Sequence, residues 1–216
     1  MRYREFKRTL DILVSSTGLA ALSPLMLLTA IAIKVESDGP VIFRQKRIGL
    51  SGKTFWMFKF RSMCVGAEKG GVYEKKGDSR VTATGRIIRA VSIDELPQFI
   101  NILRGDMSII GPRPVLTYHP WPLEKYTPEQ MKRFSVRPGV TGWAQVNGRK
   151  EAKWEKRIEY DVEYVERMSL EFDMRILFMT VLRVFTARGN LNTGETAEGG
   201  NMSRRSSSPG CERCKK

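Results

Sequence analysis

Two adjacent carboxylates, Asp94 and Glu95, are the residues of this chain whose types and spacing best support chemistry. They lie in the heptapeptide SIDELPQ, residues 92–98. Because proline is tolerated only in the first turn of a helix, Pro97 predicts a helix over residues 96–103 with the acidic pair at its start. The helix dipole favours negative charge there, so an ionised aspartate can act as a nucleophile, a general base or a metal ligand.

A second interpretation of the same segment needs no chemistry. Ser92 and Glu95 have the S-x-x-E spacing of a capping box, in which a hydroxyl and a carboxylate satisfy the first backbone N–H groups of a helix. Taken alone, the heptapeptide favours this capping box over a catalytic pair. The rest of the chain must therefore decide between the two interpretations.

The composition limits the classes of partner. The 216 residues are enough for one domain with a hydrophobic core, and the formal net charge of +14 predicts a polyanionic partner: nucleic acid, anionic lipid or phosphorylated substrates. Sparse cysteine fits a reducing compartment. Cys211 and Cys214 form a lone C-x-x-C motif, but His119 is the only histidine, so we expect a disordered tail there rather than a zinc or redox site.

An uncharged run over residues 12–33 predicts a membrane segment. A straight helix of that length would be about 33 Å long, enough to cross a bilayer. Ser23-Pro24 in its middle predicts a kink, because proline removes one backbone hydrogen bond of a helix. Basic residues flank the run on both sides and mark the cytoplasmic face. A re-entrant helix-break-helix places both flanks on that face; the alternative is a single-pass helix with a proline kink.

The remaining pattern predicts a mainly helical α+β fold. The predicted elements are, in chain order, strands of a β-hairpin at 41–43 and 54–60, a loop at 66–80, a helix at 85–91 capped by Thr84, a helix beginning at Thr127-Pro128, a loop at 136–149, and helices at 154–168 and 170–185. The last helix is apolar with interspersed arginines, which fits either a core helix or an amphipathic helix at the membrane interface.

This pattern divides the chain into three parts. Residues 1–36 form a re-entrant membrane anchor, residues 37–188 a compact cytoplasmic catalytic domain surrounded by interfacial helices, and residues 189–216 a disordered basic tail.

The polar residues exclude several classes of enzyme. The chain has no Gly-rich loop of the Walker or dinucleotide type, and acyl transfer would have to rest on His119. Phosphoryl transfer instead needs cations, a divalent metal held by one or two carboxylates, and a positioned nucleophile. The acidic pair matches that need, as does Arg113, which is stiffened between Pro112 and Pro114 and can grip two phosphate oxygens at once.

Four longer motifs carry a resemblance to a known family. They are KFRSM (59–63), SIDELPQ (92–98), NILRGDMSIIGPRP (101–114) and RPGVTGWAQVNGR (137–149). Over residues 2–188 the chain resembles the bacterial sugar transferases of the monotopic phosphoglycosyl transferase family, in their small form without added membrane spans. The resemblance does not extend to the tail, so Cys211 and Cys214 inherit no role from it.

The resemblance implies transfer of a phosphosugar from a UDP-sugar to a polyprenol phosphate such as undecaprenyl phosphate, with release of UMP. Asp94 is then the nucleophile of a covalent phosphosugar intermediate, and Glu95 is the Mg²⁺ ligand beside it. Substrate or phosphate contacts are implied for Lys59, Arg89, Arg113, Arg149 and Asp173, and a re-entrant helix break for Ser23 and Pro24. The implied location is the cytoplasmic face of the bacterial inner membrane, at the first membrane step of glycoconjugate assembly.

Two other functions remain open on the sequence. A membrane-anchored nucleic-acid binder would account for the charge, but it needs stacking aromatics interleaved with basic residues, and Trp121, Trp143 and Trp154 are scattered. A non-catalytic membrane scaffold leaves the acidic pair unexplained. We therefore expect an anionic bilayer and no nucleic acid as partners. The sugar, the polyprenol length and a homodimer are left open.

Overall fold

The computed structural model describes residues 3–71, 77–118, 120–147 and 153–186. Its helices are α1 Tyr3–Glu36, α2 Ala83–Ala90, α3 Gln98–Arg104, α4 Pro128–Met131, α5 Trp143–Asn147, α6 Trp154–Arg167 and α7 Leu170–Thr186. Its strands are β1 Ile42–Ile48, β2 Thr54–Phe60, β3 Ser108–Ile110, β4 Val115–Leu116 and β5 Gly139–Thr141. The predicted mainly helical α+β fold is confirmed for this part of the chain. The tail at 189–216 lies outside it.

The predicted β-hairpin is confirmed, although its first strand is longer than expected. Strands β1 and β2 pair antiparallel from Ile42 opposite Phe60 to Ile48 opposite Thr54, and β4 adds to the other edge of β1. The sequence RQKR, residues 44–47, carries no apolar signal of a strand. It is nevertheless extended, because its backbone pairs with the apolar strand β2.

The predicted loop at 136–149 is wrong, because it contains strand β5 and helix α5. Strand β5 pairs parallel with β3, and this pairing brings Gly139 against the backbone of Gly111. A Cβ atom on Gly139 would lie 2.1 Å from the Gly111 nitrogen, so only glycine permits the contact. The glycines that resembled a loop signal instead allow two strands to approach closely.

Helix α1 is uninterrupted through Ser23-Pro24, so the predicted gap between two helices is absent, while the predicted kink stays a prediction. The Ser23 hydroxyl donates to the Ala20 carbonyl at 2.8 Å. This is the carbonyl that would otherwise accept from the N–H that proline lacks at position 24, so the serine replaces the missing donor. Among the described residues α1 is the one helix long and apolar enough to cross a membrane.

Both halves of α1 pack against the rest of the protein. Near its start, the Arg8 guanidinium donates to the carbonyls of Ile102 and Leu103 at 2.6 and 3.1 Å. Near its end, Ile33 is buried in a cluster with Phe60 of β2 and Ile88 of α2. The helix is therefore part of the hydrophobic core as well as the candidate membrane segment.

Asp173 of α7 holds the first turn of α1. This buried carboxylate accepts hydrogen bonds from the Tyr3 hydroxyl at 2.5 Å, the Lys7 ammonium at 2.6 Å and the Tyr164 hydroxyl at 2.8 Å. Three donors converge on one residue and join α1, α6 and α7. The role that follows from these contacts is structural.

We predict that Asp173→Ala lowers the free energy of unfolding by about 3 kcal/mol, because removal of one partner leaves the partly buried Lys7 charge uncompensated. Glu171→Ala is the matched control, since Glu171 is exposed in the same helical turn. Chemical denaturation of both variants in detergent measures the difference. Equal stability of the two variants would contradict the anchoring role.

Candidate active site

Asp94 and Glu95 lie in a single 3₁₀ turn, Ile93–Glu95, between α2 and α3. The predicted capping box is wrong. Ser92 has a left-handed backbone with φ of 59°, and its side chain makes no capping hydrogen bond. Its N–H instead donates to the Arg89 carbonyl at 3.3 Å, so Ser92 closes α2 rather than opening α3. The acidic pair therefore precedes α3, which begins at Gln98, by a full turn.

The turn is fixed by apolar packing on either side of the acids. Ile93 and Leu96 pack against the cluster formed by Ile33, Phe60 and Ile88. Asp94 is consequently buried, with 7% of its surface exposed. Glu95 reaches the Lys59 ammonium of β2 at 2.6 Å, and its side chain is 25% exposed. The two neighbouring acids thus have different environments, one enclosed and the other ion-paired at the edge of a cleft.

Burial and nearby charges both change the pKa of the Asp94 carboxyl. Burial raises the pKa of the Asp94 carboxyl, and the negative charge of Glu95 adds to this effect. The charges of Lys59 and Arg89 lower the same pKa and oppose the rise. The two cations therefore offset part of the cost of keeping this carboxylate charged in a buried place.

Arg89 is positioned by the way α2 begins. The cap of α2 is Thr82, not the predicted Thr84: the Thr82 hydroxyl accepts from the Gly85 N–H at 2.9 Å. The Glu36 carboxylate at the end of α1 accepts from the N–H groups of Ala83 and Thr84 at 2.6 and 3.0 Å. Helix α1 therefore helps to fix the helix that carries Arg89.

The Pro-Arg-Pro segment joins β3 to β4 with its arginine exposed and both prolines buried. The Arg113 carbonyl accepts from the Arg133 guanidinium at 3.1 Å. Arg133 also donates to Asp161 at 2.6 Å, and this pair is almost fully buried. The backbone at Arg113 is thus held by a buried ion pair, while its guanidinium has no hydrogen-bond or ion-pair partner within the described part of the chain.

One cleft of about 1230 Å³ brings most of the predicted site together. The predicted residues that line it are Lys59, Arg89, Asp94, Glu95 and Arg113. Asp173 does not line this cleft, and its contacts are those of the α1 anchor. Arg149 lies outside the described residues, as do His119, Cys211 and Cys214.

Comparison with known proteins identifies the family. The model of the family described as "Bacterial sugar transferase" matches residues 2–187. The chain belongs to the bacterial sugar transferase family. The match includes every described element, so the cleft around Asp94 lies inside the family domain.

Several curated members of the family are similar to this chain. A UDP-glucose:undecaprenyl-phosphate glucose-1-phosphate transferase of Xanthomonas campestris pv. campestris is 46% identical over 181 residues, covering 81% of this chain and 37% of that protein. A UDP-N-acetylgalactosamine-undecaprenyl-phosphate N-acetylgalactosaminephosphotransferase of Aeromonas hydrophila is 44% identical over 191 residues, covering 87% and 45%. The chain thus spans less than half the length of these two relatives.

A third relative has nearly the same extent as this chain. The uncharacterized sugar transferase EpsL of Bacillus subtilis (strain 168) is 43% identical over 194 residues, covering 89% of this chain and 94% of that protein. The family domain therefore also occurs in a protein of similar size.

Arg47 of β1 lines the same cleft but was not among the predicted site residues. Its Nη1 donates to the Pro114 carbonyl at 3.1 Å, which links the strand to the Pro-Arg-Pro segment. The available signal was the alternation of Phe43, Gln45 and Arg47 along one face of a strand. That signal can be used only once β1 is known to continue past residue 43.

We predict that Gly85→Ala destabilises the protein by about 1–3 kcal/mol, although the same change in an open helix stabilises it. A Cβ at Gly85 would lie 2.0 Å from the Ser62 carbonyl oxygen, so α2 would have to move. Ala90→Gly, at the exposed end of α2, is the control and should lose only about 0.5–1 kcal/mol. A higher melting temperature for Gly85→Ala would show that the contact with Ser62 does not hold α2.

Proposed function

We propose that this protein transfers a phosphosugar from a UDP-sugar to a polyprenol phosphate, such as undecaprenyl phosphate, and releases UMP. The observation that carries the proposal is the buried Asp94 beside the Glu95–Lys59 ion pair in a cleft lined with arginines. The names of the Xanthomonas and Aeromonas relatives support it, since both describe transfer to undecaprenyl phosphate. The reaction would be the first membrane step in assembling a glycoconjugate.

In this proposal Asp94 acts as a nucleophile in two steps. Its carboxylate oxygen attacks the phosphorus that bears the sugar, the bond from that phosphorus to UMP breaks, and UMP leaves with the electron pair. An oxygen of the polyprenol phosphate then attacks the same phosphorus and releases the Asp94 carboxylate. Lys59 and Arg89 lower the pKa of that carboxyl and so favour its ionised form, and Arg113 binds phosphate oxygens.

Glu95 is the residue we propose as the Mg²⁺ ligand. Among the described residues, no three His, Cys, Asp or Glu side chains converge on one point. Magnesium commonly binds one or two carboxylates and completes its shell with waters and substrate phosphates, so an acidic pair at a cleft fits it. A bound Mg²⁺ would neutralise part of the negative charge on the substrate phosphates. The Lys59 ammonium donates a hydrogen bond to the Glu95 carboxylate and so orients it.

We propose that in the membrane the uninterrupted helix α1 bends at Ser23-Pro24, enters the cytoplasmic leaflet of the bacterial inner membrane and returns, and that α2 and α7 lie at its surface. Contacts at both ends of α1 with the same domain favour this arrangement over a full crossing. Apolar side chains on α7, such as Met174, Phe178 and Val181, are exposed and would be covered by lipid. Arg175 on the same helix can reach lipid phosphates.

The nucleophile is tested by Asp94→Asn. We expect UMP release to fall by about a thousandfold or more, because the transition-state bond to phosphorus cannot form. Glu124→Gln, an exposed acid elsewhere, is the control. The assay is UMP release in nanodiscs with undecaprenyl phosphate and a panel of UDP-sugars that includes UDP-glucose and UDP-N-acetylgalactosamine.

Two results would overturn parts of the proposal. Full activity of Asp94→Asn rejects the nucleophile, and no turnover of any UDP-sugar by the wild type rejects the transfer reaction. The covalent intermediate has a separate test: wild type without polyprenol phosphate should exchange labelled UMP into the UDP-sugar. Absence of exchange would favour direct transfer.

The re-entrant arrangement predicts that both ends of α1 face the cytoplasm. Arg2→Cys and Lys34→Cys, each in a background with serine at the native cysteines, should react with a membrane-impermeant maleimide from the cytoplasmic side only. Leu28→Cys, in the apolar half of α1, is the protected control. Labelling of the two sites from opposite sides would establish a single-pass helix.

A further inference from the structure

The β-hairpin presents one face to the acidic pair. Side chains alternate along a strand, and residues paired across an antiparallel ladder point to the same face. Lys59 is paired with Phe43, so Phe43, Gln45 and Arg47 share its face. Lys59 is the residue that binds Glu95, so Arg47 belongs to the same side of the sheet as the acidic pair.

The neighbouring cations of β1 point the other way. Arg44 lies over the Phe58 ring with 5.8 Å to its centroid, and Lys46 lies over the Trp56 ring with 5.6 Å. Both are exposed, whereas Arg47 is half-buried; Arg44 and Arg47 line the cleft and Lys46 does not. The strand therefore places Arg47 on the face of the acidic pair and Lys46 on the opposite face, away from the cleft.

Neither hydrogen bond of Arg47 reaches a charged acceptor, and among the carboxylates Glu95 acts on it only through its nearby charge. Its Nη1 donates to the Pro114 carbonyl at 3.1 Å and its Nη2 to the Gln45 side-chain oxygen at 2.5 Å. Both acceptors are neutral, and its Nε is buried without a partner. No carboxylate in the described part of the chain forms an ion pair with Arg47.

A second guanidinium lies close to the first. Arg113 belongs to the Pro-Arg-Pro segment, and Arg47 donates to the Pro114 carbonyl of that segment. Both arginines line one cleft. Burial and the Arg113 charge lower the pKa of Arg47 to about 9, so Arg47 stays protonated at neutral pH. Arg47 is partly desolvated without a carboxylate ion pair, so a bound anion would stabilise it, and the exposed Arg113 guanidinium can bind the same anion.

We propose that Arg47 and Arg113 form a clamp for the diphosphate of the UDP-sugar. This inference rests on the proposed function and names a further residue of its substrate site. A diphosphate offers oxygens on two phosphorus atoms, which suits two guanidinium forks. Arg47 is the fixed half of the clamp, because strand β1 and the Pro114 carbonyl hold it. Arg113, on an exposed turn, is the half that reaches the ligand from solvent.

The test compares the affinities of UDP and uridine for the full-length protein in nanodiscs, measured by calorimetry with Mg²⁺ present. Arg47→Gln should weaken UDP binding by about 10–100-fold, the value of one or two charge-assisted hydrogen bonds. Uridine affinity should not change, because uridine lacks the diphosphate. Lys46→Gln is the matched control: it removes the same charge from the same strand, on the opposite face, and should bind UDP like the wild type.

The design separates the clamp from a purely structural role and from the proposed reaction. Equal loss of UDP and uridine affinity in Arg47→Gln, with a lower melting temperature, would assign Arg47 to the fold and overturn the clamp. Unchanged UDP affinity would also overturn it. Selective loss of UDP supports the clamp even if no UDP-sugar is turned over, in which case only the transfer reaction fails. A smaller selective loss in Arg47→Lys, which keeps the charge but not the fork, would further support it.

Discussion

The Asp94 carboxyl lies in a buried place where a negative charge is costly to keep. Burial raises its pKa, and a second acid follows it directly in the chain. Lys59 from the hairpin and Arg89 from α2 lower that pKa, so two separate elements must be held close to one turn. Most of the fold described above serves this requirement: the register of β1 and β2 places Lys59, and the capping of α2 places Arg89. The acidic pair is thus a tertiary arrangement, although its two residues are neighbours in sequence.

The last turns of helix α1 also help to hold the acidic pair, in addition to the candidate membrane role of this helix. Ile33 packs behind the 3₁₀ turn, and Glu36 caps the helix that carries Arg89. Just beyond α1, the guanidinium of Arg61 donates to the carbonyls of Ser37 and Asp38 at 2.7 and 2.8 Å, which fixes the direction in which the chain leaves the helix. Displacement of the last turns of α1 would therefore reach Asp94 through α2 and the cluster behind it.

Local sequence signals predicted the elements well where local physics decides them. The helix that begins at Thr127-Pro128 and the apolar strand β2 both occur as expected. Signals failed where a distant partner decides the outcome. Ser92 ends α2 instead of capping α3, and the glycines of 136–149 permit strand pairing. The Ser23 hydroxyl keeps α1 uninterrupted at Pro24. The motifs located the acidic pair, but only the fold shows that Asp173 is an anchor and that Arg47 faces the cleft.

The burial of Ile33 has a practical consequence for handling this protein. The boundary after residue 36 resembles a point at which a membrane anchor could be cut away to leave a soluble enzyme. Such a truncation would strip the cover from Phe60 and Ile88, deprive Asp173 of two of its donors and remove the carboxylate that caps α2. An unrelated hydrophobic helix fused in its place would restore membrane attachment but none of these contacts. Water-soluble versions of this domain therefore call for redesign of the outer face of α1, not its deletion.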